Sequence, residues 1–340
     1  MRPTRRGYAV AGVVVAAVLS ASLFGARGLN AIAAPGLVAL AFAVVQTWRV
    51  DPPTVERELP RRGAQGSTVA VELDLAADRP YSARVTDAVG DGLAADGNDR
   101  ATTVGAGGMR YELTLRGRGE RTVGPVTVVA RDVLGLVARR FELPVRSTVL
   151  VRPVVHPLSG PRADELVWIF GGGDDRQEFD FLRRYRRGDP VRDIHWPSSA
   201  KVPGEDLVVK AFSADEGASS AVVAAESEPG HADEMAAAAA SVVAVLLAAG
   251  LRVGLATPEA RLEPRAGREQ RDRALDELAR SLGGPLRRQD RRDADIHIRA
   301  GADGVTVELA DATVPFRDVA GRPASPSAAG DPGAERGGVA

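Results

Sequence analysis

Two uncharged stretches at the front of the chain constrain its fold more than any other feature. Gly7 to Ala26 reads GYAVAGVVVAAVLSASLFGA, and Leu29 to Trp48 reads LNAIAAPGLVALAFAVVQTW. Each runs 20 residues without a charge. At 1.5 Å rise per residue such a helix covers about 30 Å, the thickness of a bilayer's hydrocarbon core. The spacing predicts two transmembrane helices, 7–26 and 29–48, joined through a turn at Arg27, Gly28 and Asn30. Pro35 falls in the opening turns of the second helix, where a missing N–H costs little. A second apolar span directly after the first argues against a cleaved signal peptide.

Arginine placement orients the hairpin. Arg2, Arg5 and Arg6 precede the first span and Arg49, Arg57, Arg61 and Arg62 follow the second, while Arg27 alone lies between. The positive-inside rule then places both termini and the soluble body in the cytoplasm, as a multi-pass protein of the cell membrane with the lipid bilayer as its first partner.

Composition bounds the rest. Only 4% of residues are aromatic against 44% hydrophobic, so the cores must be built from Ala, Val and Leu. The chain has no cysteine, which excludes disulfides, thiol catalysis and zinc–thiolate sites. A net charge of −1 offers no bulk field to recruit nucleic acid.

From Asp51 to Pro157 the pattern becomes short alternating runs divided by Gly, Asp, Asn and Pro. Strands are expected at 67–75, 81–89, 109–117, 124–132, 136–144 and 148–155, with an edge strand at 54–60, and their spacing predicts a β-sandwich. "DVLGLV", Asp132 to Val137, reads as a tight turn in which Gly135 takes the unusual backbone angle. "DAVGDGLAADGNDR" reads as a polar loop without calcium-loop spacing.

Residues 158–215 form a distinct segment. Its GGG lacks the surroundings of a phosphate-binding loop. Phe179, Leu182 and Tyr185 fall at i+3 spacing, followed by Arg183, Arg184, Arg186 and Arg187, then Gly188 and Pro190. This predicts a short helix with cations toward its C-terminal end, leading into an extended segment at 207–212. Glu178-Phe179, Leu182-Arg183-x-Tyr185, Gly188-Asp189, Arg192-x-Ile194-x-Trp196 and Ser199-Ala200-Lys201 together resemble the signature of the domain of unknown function 58 family. The resemblance extends through "GPVTVVARDVLGL" and the C-terminal region.

Phe179, Arg183, Tyr185, Asp189, Arg192, Trp196 and Lys201 are therefore the candidate site. They form a structural clasp of arginine–carboxylate pairs and packed rings, or a partner-binding patch rich in the arginine and aromatic residues that anchor interfaces. Phosphate or nucleic-acid contact is weakened by three interspersed acids. An enzymatic alternative uses Asp193 and His195 as acid and base on an anion or nucleotide, but no nucleophile turn accompanies them. His156, His231 and His297 read as isolated surface or packing residues.

Residues 216–318 alternate strand and helix: 220–227, helix 232–250, 251–257, helix 269–283, 294–300 and 304–310. Such alternation predicts a largely parallel α/β sheet of Rossmann-like type. The alanine-rich helix is short and weakly apolar for a span and reads as a buried crossover. Residues 319–340 read as a disordered tail. The family resemblance implies a von Willebrand factor A-like fold for this region. In such folds an Asp-x-Ser-x-Ser loop can hold a divalent cation, but here the loop is Ala225-Glu226-Ser227-Glu228-Pro229, so no metal or other cofactor is expected. Relatives often occur beside MoxR-type AAA ATPases and transglutaminase-like membrane proteins, which the resemblance makes candidate partners. Together these readings describe a membrane-anchored interaction or assembly-scaffold protein rather than an enzyme. An extracytoplasmic adhesion-like module is the other non-enzymatic alternative.

Overall fold

The computed structural model describes residues 1–24, 27–158, 169, 181–184, 208–211, 220–309 and 312–320. The chain divides into two compact units, Met1–Val154 and Val155–Ala340.

The first unit opens with a short strand, β1 (Arg2–Pro3), and then the two apolar helices, α1 (Arg5–Phe24) and α2 (Asn30–Trp48). Both are long and apolar enough to cross a membrane. Small residues line their contact: Val14, Ala17 and Ala33 are buried, while Val15, Leu19, Leu37 and Phe42 are exposed. A Cβ at Gly36 would stand 2.5 Å from Val14 Cγ2, so glycine is what lets the two backbones approach here.

Ten strands follow: β2 (Thr54–Glu58), β3 (Arg62–Ala64), β4 (Thr68–Ala76), β5 (Tyr81–Val89), β6 (Leu93–Asp96), β7 (Asp99–Val104), β8 (Met109–Leu115), β9 (Gly119–Arg131), β10 (Val137–Leu143) and β11 (Ser147–Arg152). One sheet runs β2-β4-β8-β6. The other runs β1-β10-β9-β11-β3, with β5 on the opposite edge of β9 and β7 outside β5. Period-two alternation sends Val71, Leu73, Leu75, Tyr111, Leu113 and Leu115 inward from one sheet to meet Val85, Val123, Val126, Val128, Val149 and Val151 of the other. The expected sandwich-like layout is present.

One expectation fails. The stretch read as a polar loop contains β6 and the start of β7, because Leu93 and Ala95 still reach the core and β6 pairs with β8. The two-residue turn Gly97-Asn98, with Gly97 at φ +83°, then carries the chain across to the other sheet, where β7 pairs with β5. Polar composition hid a strand pair whose job is to link the sheets.

In the second unit, β12 (Phe181–Arg184) pairs antiparallel with β13 (Val208–Ala211). The extended reading of 207–212 holds at Val208–Ala211, but the helix expected through Phe179 to Arg187 does not hold at Phe181–Arg184, which is extended. A short apolar run is ambiguous between the two states, and ladder bonds to a valine-rich partner outweigh local i+3 spacing.

The α/β part comprises β14 (Ser220–Ser227), α3 (Ala232–Ala248), β15 (Arg252–Ala256), β16 (Arg261–Arg265), α4 (Gly267–Arg280), α5 (Arg288–Arg292), β17 (Ile296–Gly301), β18 (Gly304–Leu309) and β19 (Ala312–Pro315). Sheet order is β16-β15-β14-β17-β18-β19, and only β15, β14 and β17 are mutually parallel. The largely parallel sheet is thus corrected to a mixed one. After β15 and again after β17 the chain turns straight back instead of crossing over through a helix, giving antiparallel neighbours. Met235, Ala236, Ala239, Val243 and Leu246 of α3 are fully or almost fully buried, as a crossover helix requires. Leu286, with Ala294 beside it, covers Ala224 and Ala256. Val319 is buried and Ala320 bridges to Leu158, so the chain is still packed at the point where the tail was expected to start. Residues 321–340 lie outside the described residues.

Candidate functional site

Of the sequence-derived candidates, Phe179, Tyr185, Asp189, Arg192, Trp196 and Lys201 lie outside the described residues, as do Asp193 and His195. Arg183 sits in β12 with its Cα opposite Val209.

The described residues do bring a charged constellation together elsewhere. β14 is the central strand of the α/β sheet, with α3 leading to β15 on one side and the α4–α5 connection leading to β17 on the other. The carboxyl end of such a strand is a topological switch point, where open α/β sheets bind ligands. Glu226 stands there, 4% exposed.

Its partners all come from this chain. Glu226 Oε2 accepts hydrogen bonds from Arg291 Nη2 at 2.5 Å and from the Leu286 backbone N–H at 3.1 Å. On the other oxygen, His297 Nε2 lies 3.3 Å from Oε1 without hydrogen-bond alignment, and Arg299 Nε is 3.9 Å away. The second nitrogen of His297 is 3.3 Å from Glu308 Oε2. Burial alone pushes the Glu226 carboxyl up. The Leu286 N–H, the Arg291 hydrogen bond and the charges of His297 and Arg291 outweigh it, and hold the group below the usual carboxylate range.

Two loops close around this point. Gly284 N–H donates to Ser227 Oγ at 3.3 Å, and Ser227 N–H donates to the Gly284 carbonyl at 3.2 Å. Glu228 N–H donates to the Ala300 carbonyl at 2.8 Å, while Glu228 Oε2 accepts from Ala302 N–H at 3.3 Å. Leu282 is 85% exposed at the rim, its N–H bonded to Glu259.

These residues do not fit the divalent cation that the resemblance associates with such a loop. The most buried carboxylate is engaged by a guanidinium, and Arg299 and His297 crowd the space a cation would need. Among the described residues no group of three His, Asp or Glu side chains is placed to hold a metal.

The sequence reading considered Glu226 only as a leftover of a broken metal loop, treated His297 as isolated, and passed over Arg291 and Arg299. A signal was present. In "IHIRA" the alternation that sends Ile296, Ile298 and Ala300 into the core puts His297 and Arg299 together on the other face.

No family model matches the chain, and no curated protein matches it. Solved structures give distant partial likenesses. A Salmonella alpha-2-macroglobulin is 19% identical over 32% of this chain and 8% of its own, with a TM-score of 0.24. Native Escherichia coli alpha-2-macroglobulin is 20% identical over 34% of this chain and 21% of its own, at 0.26. The SrpA adhesin of Streptococcus sanguinis is 11% identical over 40% of this chain and 81% of its own, at 0.23. The chain spans less than a quarter of either macroglobulin, and likenesses this distant carry no argument about function.

Proposed function

We propose that this protein is a membrane-anchored interaction scaffold, its soluble units held at the cytoplasmic face of the membrane by the α1–α2 hairpin. The α/β part is read as a von Willebrand factor A-like module that binds proteins without a cation. One observation carries this reading: the carboxylate at the switch point is already engaged from within by Arg291 and the Leu286 N–H. A site closed in this way is suited to presenting a surface rather than to turning over a small ligand. Leu282 is a large exposed apolar residue on that face, a natural anchor for a protein partner. The family resemblance suggests a MoxR-type AAA ATPase as that partner and a transglutaminase-like membrane protein as a further member of the assembly.

The test uses full-length protein in detergent with a purified MoxR-type ATPase. Stoichiometric capture that is weakened at least tenfold by Leu282→Asp, by Arg192→Ala or by Trp196→Ala supports the scaffold. Absence of capture with ATP, with ADP and without nucleotide would remove the proposed partner.

A further inference from the structure

The corner between β9 and β10 has the wrong residues for a water-facing turn. Turn tips in water favour Gly, Asn, Asp and Ser. Here the tip is Val133-Leu134, 82% and 50% exposed, and outside the first fifty residues the only other large apolar side chains so exposed, among those described, are Ile169 and Leu282.

Much of the corner's backbone is hydrogen-bonded within the chain. Asp132 Oδ2 accepts from Leu134 N–H at 3.0 Å, Asp132 Oδ1 from Val137 N–H at 2.7 Å, and the Asp132 carbonyl from Gly135 N–H at 3.0 Å. Val133 N–H donates to Gln46 Oε1 of α2 at 3.3 Å. The Gly135 carbonyl accepts from Thr4 Oγ1 at 2.6 Å, and the Leu136 carbonyl from Thr4 N–H at 2.8 Å. Internal satisfaction of this kind is what a low-dielectric surrounding demands of an irregular segment.

Position agrees with chemistry. Leu136 packs with Ala43, Val10, Ala39 and Leu40 of the two helices. Ala43 lies five residues before Trp48, about 7.5 Å farther along α2 at 1.5 Å per residue. Trp48 and Tyr8 are 69% and 66% exposed, as aromatic residues at a membrane–water boundary are. The corner therefore runs alongside the part of α2 that precedes Trp48, meeting Gln46 at Val133 and Ala43 at Leu136, and Arg6 comes close to Gly135.

We propose that Val133-Leu134-Gly135 is a third membrane contact, an apolar wedge set in the headgroup–acyl boundary of the bilayer that α1 and α2 span; it rests on reading those helices as spans. Its occupant is lipid. Wedged beside the helix ends, it fixes how the sandwich stands on the membrane.

Because the chain has no cysteine, single labels are unambiguous. Val133→Cys and Leu134→Cys, each carrying an environment-sensitive fluorophore, are placed in full-length protein in phosphatidylcholine–phosphatidylglycerol vesicles. Val15→Cys in α1 and the exposed Thr68→Cys are the reference sites. Both corner probes are expected to be quenched several-fold more by nitroxides on shallow acyl carbons than by aqueous iodide, and to sit shallower than Val15. Iodide quenching equal to Thr68, with Val15 in lipid, overturns the wedge and leaves the spans intact. Shielding from both quenchers means that protein covers the corner and overturns the lipid assignment. A Val15 probe open to iodide sinks the spans, and the wedge with them.

Discussion

Arg57 and Asp87 form a two-pronged ion pair inside the sandwich, Nε to Oδ2 at 2.9 Å and Nη2 to Oδ1 at 2.7 Å, with neither side chain exposed. Arg57 belongs to β2 and Asp87 to β5, so the pair ties the two sheets together. Tyr111 of β8 donates to Asp87 Oδ2 at 2.7 Å, and Arg57 Nη1 donates to Ser147 Oγ at 3.0 Å. Burial first, then the hydrogen bond to Asp87 and its charge, push the Tyr111 hydroxyl above its ordinary pKa, so it stays a donor. Removing one partner strands a buried charge, which costs about 3–5 kcal/mol, whereas apolar replacement of both is often close to neutral. Asp87→Ala is therefore expected to lower the sandwich's unfolding free energy by about that much. Arg57→Met with Asp87→Leu should recover most of it in denaturant titrations of the full chain. Tyr111→Phe, which loses a hydrogen bond to a charged group, should cost about 1.5–3 kcal/mol.

The α/β unit should lose stability in acid through Glu226. Its folded pKa is depressed, so its contribution is complete above the unfolded value of about 4.3 and drains away as pH falls through the folded value. Around it stand Arg291 of α5, the Leu286 N–H, His297 and Arg299 of β17, and Glu308 of β18 facing His297. Glu226→Gln should flatten the acid limb of a stability profile measured between pH 3 and pH 6. An unchanged limb would mean that other carboxylates govern acid unfolding.

Gly7 offers a test of how α1 meets the sandwich. A Cβ there would fall 2.1 Å from the Leu136 carbonyl oxygen, a backbone atom that cannot swing aside. Gly7→Ala must push α1 away from the corner and weaken the two bonds from Thr4. Overpacking of this size costs about 1–3 kcal/mol, to be read as a lower unfolding midpoint and faster protease cleavage near residue 133. Gly12→Ala, with nothing within 4 Å of its added Cβ, should have no such effect.

What was legible in the sequence follows from how each signal arises. Helices α1 and α2 and strands β4, β5 and β8 repeat a local pattern over seven residues or more, and were read within a few residues. Strands β3, β16 and β19 have three to five residues and exist because a neighbour pairs with them, which no local window contains. The Glu226 constellation joins residues 60 to 73 positions apart, so the loop sequence displays the carboxylate and not what holds it. Arg57 misled in the opposite way. Next to the membrane segment it reads as an orienting surface charge, but its side chain is fully buried in the sandwich, paired with Asp87.

That correction bears on topology. With Arg57 withdrawn, the positive-inside argument rests on Arg2, Arg5, Arg6, Arg49, Arg61 and Arg62, joined by Arg139, whose guanidinium donates to the Trp48 and Val50 carbonyls at 3.0 and 2.6 Å just past the end of α2. Arg27 opposes them from the connecting turn. The proposed orientation, with both ends in the cytoplasm, is the one this bias predicts, because positive charge near span ends sets orientation whatever the acidic residues do. A periplasmic-active phosphatase inserted at Gly28 should therefore be active, and the same enzyme fused after Val154 inactive, in intact cells. Replacing Arg2, Arg5 and Arg6 by Gln while adding three lysines at Gly28 should send a measurable fraction of molecules in the reverse orientation. β1, which pairs Arg2 and Pro3 with Ala138 and Val137, keeps the first residues beside the folded body and is compatible with either orientation of a two-span hairpin, so charge alone is left to decide between them.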